Sequence, residues 1–193
     1  RLFIPSTGSG AAEAITKDGI FEASLSGLPP FTSEGGITWG SSAEMQWSDG
    51  GAISETWLNQ SRKHLVKTAA QLRSADDAAT AIMNGYPLTI ASGWGGQMRP
   101  AVQGDPPVLL NRRVTSWAHQ MCVIGYWDHP QFGQLFYILN SWGVDTHGTC
   151  PSGAPKGGFW VKKEDMARII SEGETFALSQ FTGFPAQDLS WII

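Results

Sequence analysis

The sequence predicts an α+β fold built on antiparallel strands, and three features of its patterning support this class. Short apolar runs recur with turn residues between them, most clearly at 117–127 and 135–140, which a short turn connects. Only a few short amphipathic helices are expected, at 11–19, between Ser74 and Gly85, and at 164–171. Strands and helices do not alternate regularly along the chain, so a parallel βαβ arrangement is not expected.

The composition is that of a folded globular protein, and it excludes several functional classes. Hydrophobic residues make up 41% of the 193 residues, enough to form a substantial core. The formal net charge is -4 and no basic cluster occurs, so nucleic acid is not an expected partner. No apolar run approaches the roughly 18 residues of a membrane span, so no membrane partner is expected either.

The first third of the chain is predicted to be mostly irregular. A short helix over 11–19 ends at a glycine, and residues 21–60 are rich in Gly, Ser, Pro and Trp without a sustained period. Loops of this length usually wrap a surface or shape a binding site. We expect Trp39, Trp47 and Trp57 to anchor these loops to the core rather than to contact a ligand.

The middle and end of the chain carry the regular elements. A strand is predicted at 64–72, then the helix that Ser74 opens, and then a strand at 86–91. Residues 92–116 contain several glycines and prolines and are predicted to form a second long loop. Beyond the hairpin, a loop leads to three further elements, a strand, a helix and a strand, which are predicted at 157–161, 164–171 and 175–181.

His119 and Asn140 are the residues that best fit a catalytic role. A lone histidine on an apolar strand is usually a core residue, but Asn140 ends the next strand and a buried amide requires a partner. An imidazole that moves protons needs a neighbour that fixes its tautomer and orientation. We expect the Asn140 amide within about 3.2 Å of Nδ1 of His119.

Four features follow one another in the chain: the histidine strand, the hairpin, Asn-Ser-Trp-Gly at 140–143 and Gly-Gly-Phe-Trp-Val at 157–161. This order resembles the C-terminal half of the papain-like cysteine peptidases. The resemblance implies that His119 is the general base and acid of a Cys-His-Asn triad. It also implies that Asn140 orients the histidine and that Trp142 shields their hydrogen bond. A weaker likeness extends through most of residues 8–162.

The same resemblance implies one papain-like domain fragment over residues 1–193. Residues 1–62 would be the remnant of an incomplete helical lobe with long loops. Residues 63–182 would form the antiparallel half-barrel lobe that carries the histidine and the asparagine, and 183–193 an apolar tail.

The nucleophile of the family is missing from its usual place. Ser42 lies in a segment that imitates the family's cysteine motif, but it precedes His119 by far fewer residues than the family's roughly 130–150. Cys122 should face away from His119, because side chains alternate along a strand, and Cys150 lies in a Gly/Pro-rich loop. The chain begins with Arg1 rather than Met, so a processed or trimmed start is expected. The nucleophilic Cys and the oxyanion-hole Gln are therefore expected upstream, the Cys about 10–30 residues before Arg1, or on a companion chain.

The leading functional prediction is thiol-dependent hydrolysis of peptide bonds in a peptide or protein substrate. The loops 92–116 and 36–57 would line the cleft, with Trp94, Gly95 and Trp117 as cleft residues. The alternative is a catalytically inactive papain-fold protein that serves as a structural or binding component of a larger assembly, such as a phage virion.

A transglutaminase-like acyl transfer is less well matched, because its third residue is typically Asp and this chain has Asn140. The other histidines, His64, His129 and His147, are not spaced like metal ligands. The sequence therefore predicts neither a metal site nor a cofactor.

Overall fold

One eight-stranded sheet organises residues 7–20 and 55–181, which are the residues that a computed structural model of the chain describes. The strands are β1 (Val66–Gln71), β2 (Leu88–Gly96), β3 (Ala101–Gln103), β4 (Val108–Leu110), β5 (Arg113–His129), β6 (Gly133–Leu139), β7 (Gly158–Lys162) and β8 (Thr175–Phe181). The helices are α1 (Gly8–Lys17), α2 (Glu55–Ser61), α3 (Ala75–Met83) and α4 (Lys163–Ser171).

The strand order is β1-β8-β2-β5-β6-β7-β4-β3, and the pairs are antiparallel except for β4 with β7. The predicted α+β class with an antiparallel sheet and a few short helices is therefore confirmed. The last strand of the described chain, β8, lies between the first two, β1 and β2. The sheet thus pairs its first two strands with its last.

The predicted loop at 92–116 is wrong over much of its length. Strand β2 continues through Gly96, β3 and β4 follow, and β5 begins at Arg113. Glycines indicated a loop, but the structure uses them inside the strand, where aromatic rings pack directly over the backbone. A Cβ on Gly95 would lie 2.3 Å from the ring of Trp117, and one on Gly96 would lie 2.5 Å from Trp94.

Smaller corrections concern the ends of elements. Helix α1 begins earlier than the predicted 11–19, because the Gly10 amide donates a hydrogen bond to the hydroxyl of Thr7 and caps the first turn. The predicted strand at 64–72 is the shorter β1, and α2 lies at the end of a segment predicted to be irregular. The predictions for Ser42, for the tail at 183–193 and for the side chains of Trp39, Trp47 and Trp57 fall outside the described residues.

The main core lies between the sheet and two helices. Helix α3 packs against β2 and β5, α4 packs against β2, β6 and β7, and the two helices contact each other. Strand β6 is buried along most of its length, which holds the end that carries the site in a fixed position. Within the described ranges, no helix combines the length and the apolar character needed to cross a membrane.

The N-terminal cap of α3 can be tested by removing the hydroxyl of Ser74. The Asp77 amide donates a hydrogen bond of 3.0 Å to the hydroxyl of Ser74. We expect Ser74→Ala to lower the free energy of unfolding by about 1 kcal/mol, measured by urea denaturation. As a control, Ser171→Ala removes an exposed hydroxyl at the C-terminal end of α4 and should change the free energy of unfolding by less than about 0.5 kcal/mol. Equal effects of the two substitutions would contradict the capping role.

Candidate active site

The hairpin of β5 and β6 brings His119 and Asn140 together. In their pairing Cys122 lies opposite Leu139, so His119 before Cys122 and Asn140 after Leu139 come at the same end of the two strands. Nε2 of His119 lies 2.9 Å from Oδ1 of Asn140. The two side chains are within hydrogen-bond distance, but the prediction that Nδ1 of His119 makes this contact is wrong, because Nε2 makes it.

The hydrogen bonds around Asn140 determine the tautomer of His119. The Ser141 amide donates to Oδ1 of Asn140 at 2.7 Å, so this atom must be the oxygen, and it can only accept. Nε2 of His119 therefore carries a hydrogen and donates it to Oδ1. In the neutral ring the proton-accepting lone pair is then on Nδ1. Among the described residues, none forms a hydrogen bond with Nδ1.

Two tryptophans cover the imidazole. The ring centroid of Trp142 lies 4.6 Å from that of His119, and Trp117 stacks on Trp142 at 4.7 Å and on His119 at 5.6 Å. Trp142 is 38% exposed, so the outer side of this stack faces solvent. Such a cover restricts the rotation of the ring and lowers the local dielectric, which strengthens the hydrogen bond beneath it.

His147 completes the site, and sequence reasoning missed it. Its Nε2 lies 2.9 Å from Nδ2 of Asn140, and its Nδ1 lies 2.9 Å from the carbonyl oxygen of Met98. The side chain is 3% exposed. Burial lowers the pKa of His147, the bond to the Met98 carbonyl opposes this, and the charge of His119 lowers it further. The only sequence signal was its position in the loop that follows Asn140.

The structure corrects part of the expected cleft. Trp94 is 2% exposed, donates from Nε1 to Asp165 at 3.1 Å and stacks on Phe159, so it belongs to the core and is not a cleft wall. Gly95 is buried beneath the ring of Trp117, which itself is partly exposed beside His119.

A cleft does run along the 92–116 segment, but His119 is not among its lining residues. Its volume is about 430 Å³, and most of its wall comes from the strands and turns around β3 and β4. The lining residues are Gln97, Ala101, Gln103, Leu110, Asn111, Arg112, Lys162 and Asp165.

Neither cysteine of the chain is placed to react with His119. Cys122 lies opposite Thr89 and Leu139 in the sheet, and burial raises the pKa of its thiol to about 11. Cys150 is buried, with its Sγ 3.0 Å from the hydroxyl of Ser152. A reactive thiolate needs a lowered pKa beside a cationic partner, whereas burial raises the pKa of Cys122 and the partner of the Cys150 thiol is an uncharged hydroxyl. In the described part of the chain, no three His, Cys, Asp or Glu side chains are grouped as metal ligands would be.

Comparison with known proteins adds no assignment to this geometry. No protein-family model matches the chain, and no curated protein matches it. The functional interpretation therefore depends on the arrangement of His119, Asn140, His147 and the two tryptophans.

Proposed function

We propose that this chain carries the His-Asn part of a papain-like cysteine peptidase, and that an upstream segment or a companion chain supplies the nucleophilic cysteine. The observation that supports this most directly is the fixed tautomer of His119. Its Nε2 donates to Asn140, and its Nδ1 keeps a lone pair without a protein partner among the described residues. A general base needs a ring nitrogen whose lone pair can accept a proton, and Nδ1 meets this requirement.

In the proposed reaction, Nδ1 of His119 takes the proton of the incoming thiol, and the resulting thiolate attacks the carbonyl carbon of a peptide bond. The imidazolium then donates that proton to the leaving amine, and the neutral ring activates water to cleave the thioester. Nε2 keeps its hydrogen in both charge states of the ring. Asn140 can therefore accept from it throughout the cycle without moving.

The surroundings of the pair suit this chemistry. The stacked rings of Trp117 and Trp142 limit water on one side of His119. The register of β5 and β6 fixes where the two functional groups stand, since most of β6 is buried. Rigid strands hold a catalytic group more precisely than loops do.

An epoxide thiol trap tests the proposal in the complete protein. We expect one covalent label on a cysteine other than Cys122 and Cys150, located by mass spectrometry of peptides. The matched control carries both Cys122→Ala and Cys150→Ala and should be labelled to the same extent. Labelling restricted to these two cysteines, or no labelling of folded protein, would overturn the proposal.

The second candidate is a catalytically inactive papain-fold component of a larger assembly. The environment of the two cysteines favours it, because burial raises the pKa of Cys122, Cys150 pairs with the Ser152 hydroxyl, and neither forms a hydrogen bond with His119. Under this alternative the His119–Asn140 hydrogen bond has only a structural role. Absence of labelling in the complete protein is the outcome that selects this candidate.

A further inference from the structure

The side chains of His147, Asn140 and His119, beside β5 and β6, form a hydrogen-bonded row in which each donor and each acceptor can be assigned. Nδ1 of His147 donates to the Met98 carbonyl, so its Nε2 must accept, and Nδ2 of Asn140 donates to it. Oδ1 of Asn140 in turn accepts from Nε2 of His119 and from the Ser141 amide. Turning the Asn140 amide over would place its NH2 group against two other donors. The row therefore has one favourable arrangement.

We propose that His147 is a positioning residue whose neutral imidazole locks the Asn140 amide and, through it, His119. Protonation of His147 puts a hydrogen on Nε2 facing the NH2 group of Asn140, and two donors repel each other. The amide must then move, and His119 loses its alignment. The switch operates whether or not a thiol is present, and only its effect on catalysis depends on the proposed function.

The surroundings of His147 favour the neutral ring. Phe159 of β7 meets it edge-on at 4.8 Å, and Trp142 lies 6.1 Å away on its own loop. The small space beside it, next to β2 and β5, is lined by uncharged residues. These are Trp94, Gly96, Gln97, Met98, Asn111, Trp117, Met121 and Phe159.

His119 is the titratable group that acts on His147, and its positive charge lowers the pKa of His147. Asp145, on the same loop, is exposed. When His119 is charged, protonation of His147 is therefore disfavoured further. The row stays intact in the state in which His119 is an imidazolium.

NMR titration of the complete protein tests the switch through the Asn140 side-chain amide. In the wild type we expect its NH2 resonances to change in two steps, one that follows the ring resonances of His119 and a second that follows those of His147. His147→Gln keeps an acceptor but cannot take up a proton, so only the His119 step should remain. His147→Phe removes the acceptor of the Asn140 NH2 group, so the second step should be lost in this variant as well.

Two results would overturn the inference. One is a single step in the wild type that coincides with His119. The other is an unchanged second step in His147→Gln, a variant that stays informative even if His147→Phe does not fold.

A kinetic readout separates positioning from binding. His147→Phe should lower kcat about fivefold, the effect of one lost neutral hydrogen bond, with KM unchanged, and His147→Gln should restore most of it. A change in KM alone would contradict the positioning role. The NMR readout needs no nucleophile, so failure of thiol labelling would reject the peptidase proposal and leave this inference standing.

Discussion

His119→Ala should lower kcat/KM for the proposed peptide hydrolysis about 10²–10⁴-fold, the usual contribution of a positioned acid-base group. The substitution removes the lone pair on Nδ1 that would accept the thiol proton. It leaves the buried strand positions around it unchanged, since His119 is only partly buried. Initial rates on a fluorogenic peptide give kcat/KM, and the variant's urea unfolding curve shows that it is folded.

His64 offers a matched histidine for comparison. It precedes β1, which is separated from β5 by β8 and β2 in the sheet. His64→Ala should keep kcat/KM within about twofold of the wild type. If His119→Ala retained wild-type hydrolysis while folded, another residue would have to be the base, and the proposed triad would be wrong.

Phe159→Ala should lower the free energy of unfolding by about 3–5 kcal/mol, the range for deleting a buried aromatic ring. Phe159 is 2% exposed on β7, stacks on Trp94 at 5.8 Å and packs edge-on against His147. Its removal opens a cavity between the core and the site. Urea denaturation measures the change.

Tyr86 serves as the control for the loss of an aromatic side chain. It is 45% exposed between α3 and β2, so Tyr86→Ala should change the free energy of unfolding by less than about 0.5 kcal/mol. A small effect of Phe159→Ala would mean that the space under His147 is not closed by this ring. In that case the uncharged packing that keeps His147 neutral would also be in doubt.

The hairpin that positions His119 and Asn140 could be predicted because its determinants are local. Two apolar runs separated by turn residues fix an antiparallel pair, and the register then places both side chains at one end. The continuation of β2 through Gly95 could not be predicted in this way. Gly95 is required there by the ring of Trp117, which lies on the neighbouring strand.

His147 and Trp94 show the same limit at the site. The role of His147 depends on the Met98 carbonyl, which is remote in sequence, and no periodic pattern connects them. Trp94 follows a predicted strand in a Gly-rich segment typical of a surface loop, yet Asp165 of α4 accepts its Nε1 hydrogen in the core. Contacts between distant segments decide both positions, and sequence patterns carry little information about them.

The position of β8 between β1 and β2 has a consequence for the order in which the molecule assembles during synthesis. Strand β2 can pair with β5 as soon as both have left the ribosome, but the partner of β1 among the described strands is β8, which is not complete until residues 175–181 are made. At roughly 5–20 residues per second, this leaves β1 unpaired for several seconds. The hairpin with His119 and Asn140 therefore belongs to the part that can form early. A chain that ends before β8 should leave the sheet edges of β1 and β2 that β8 covers open to other binding partners, such as a chaperone.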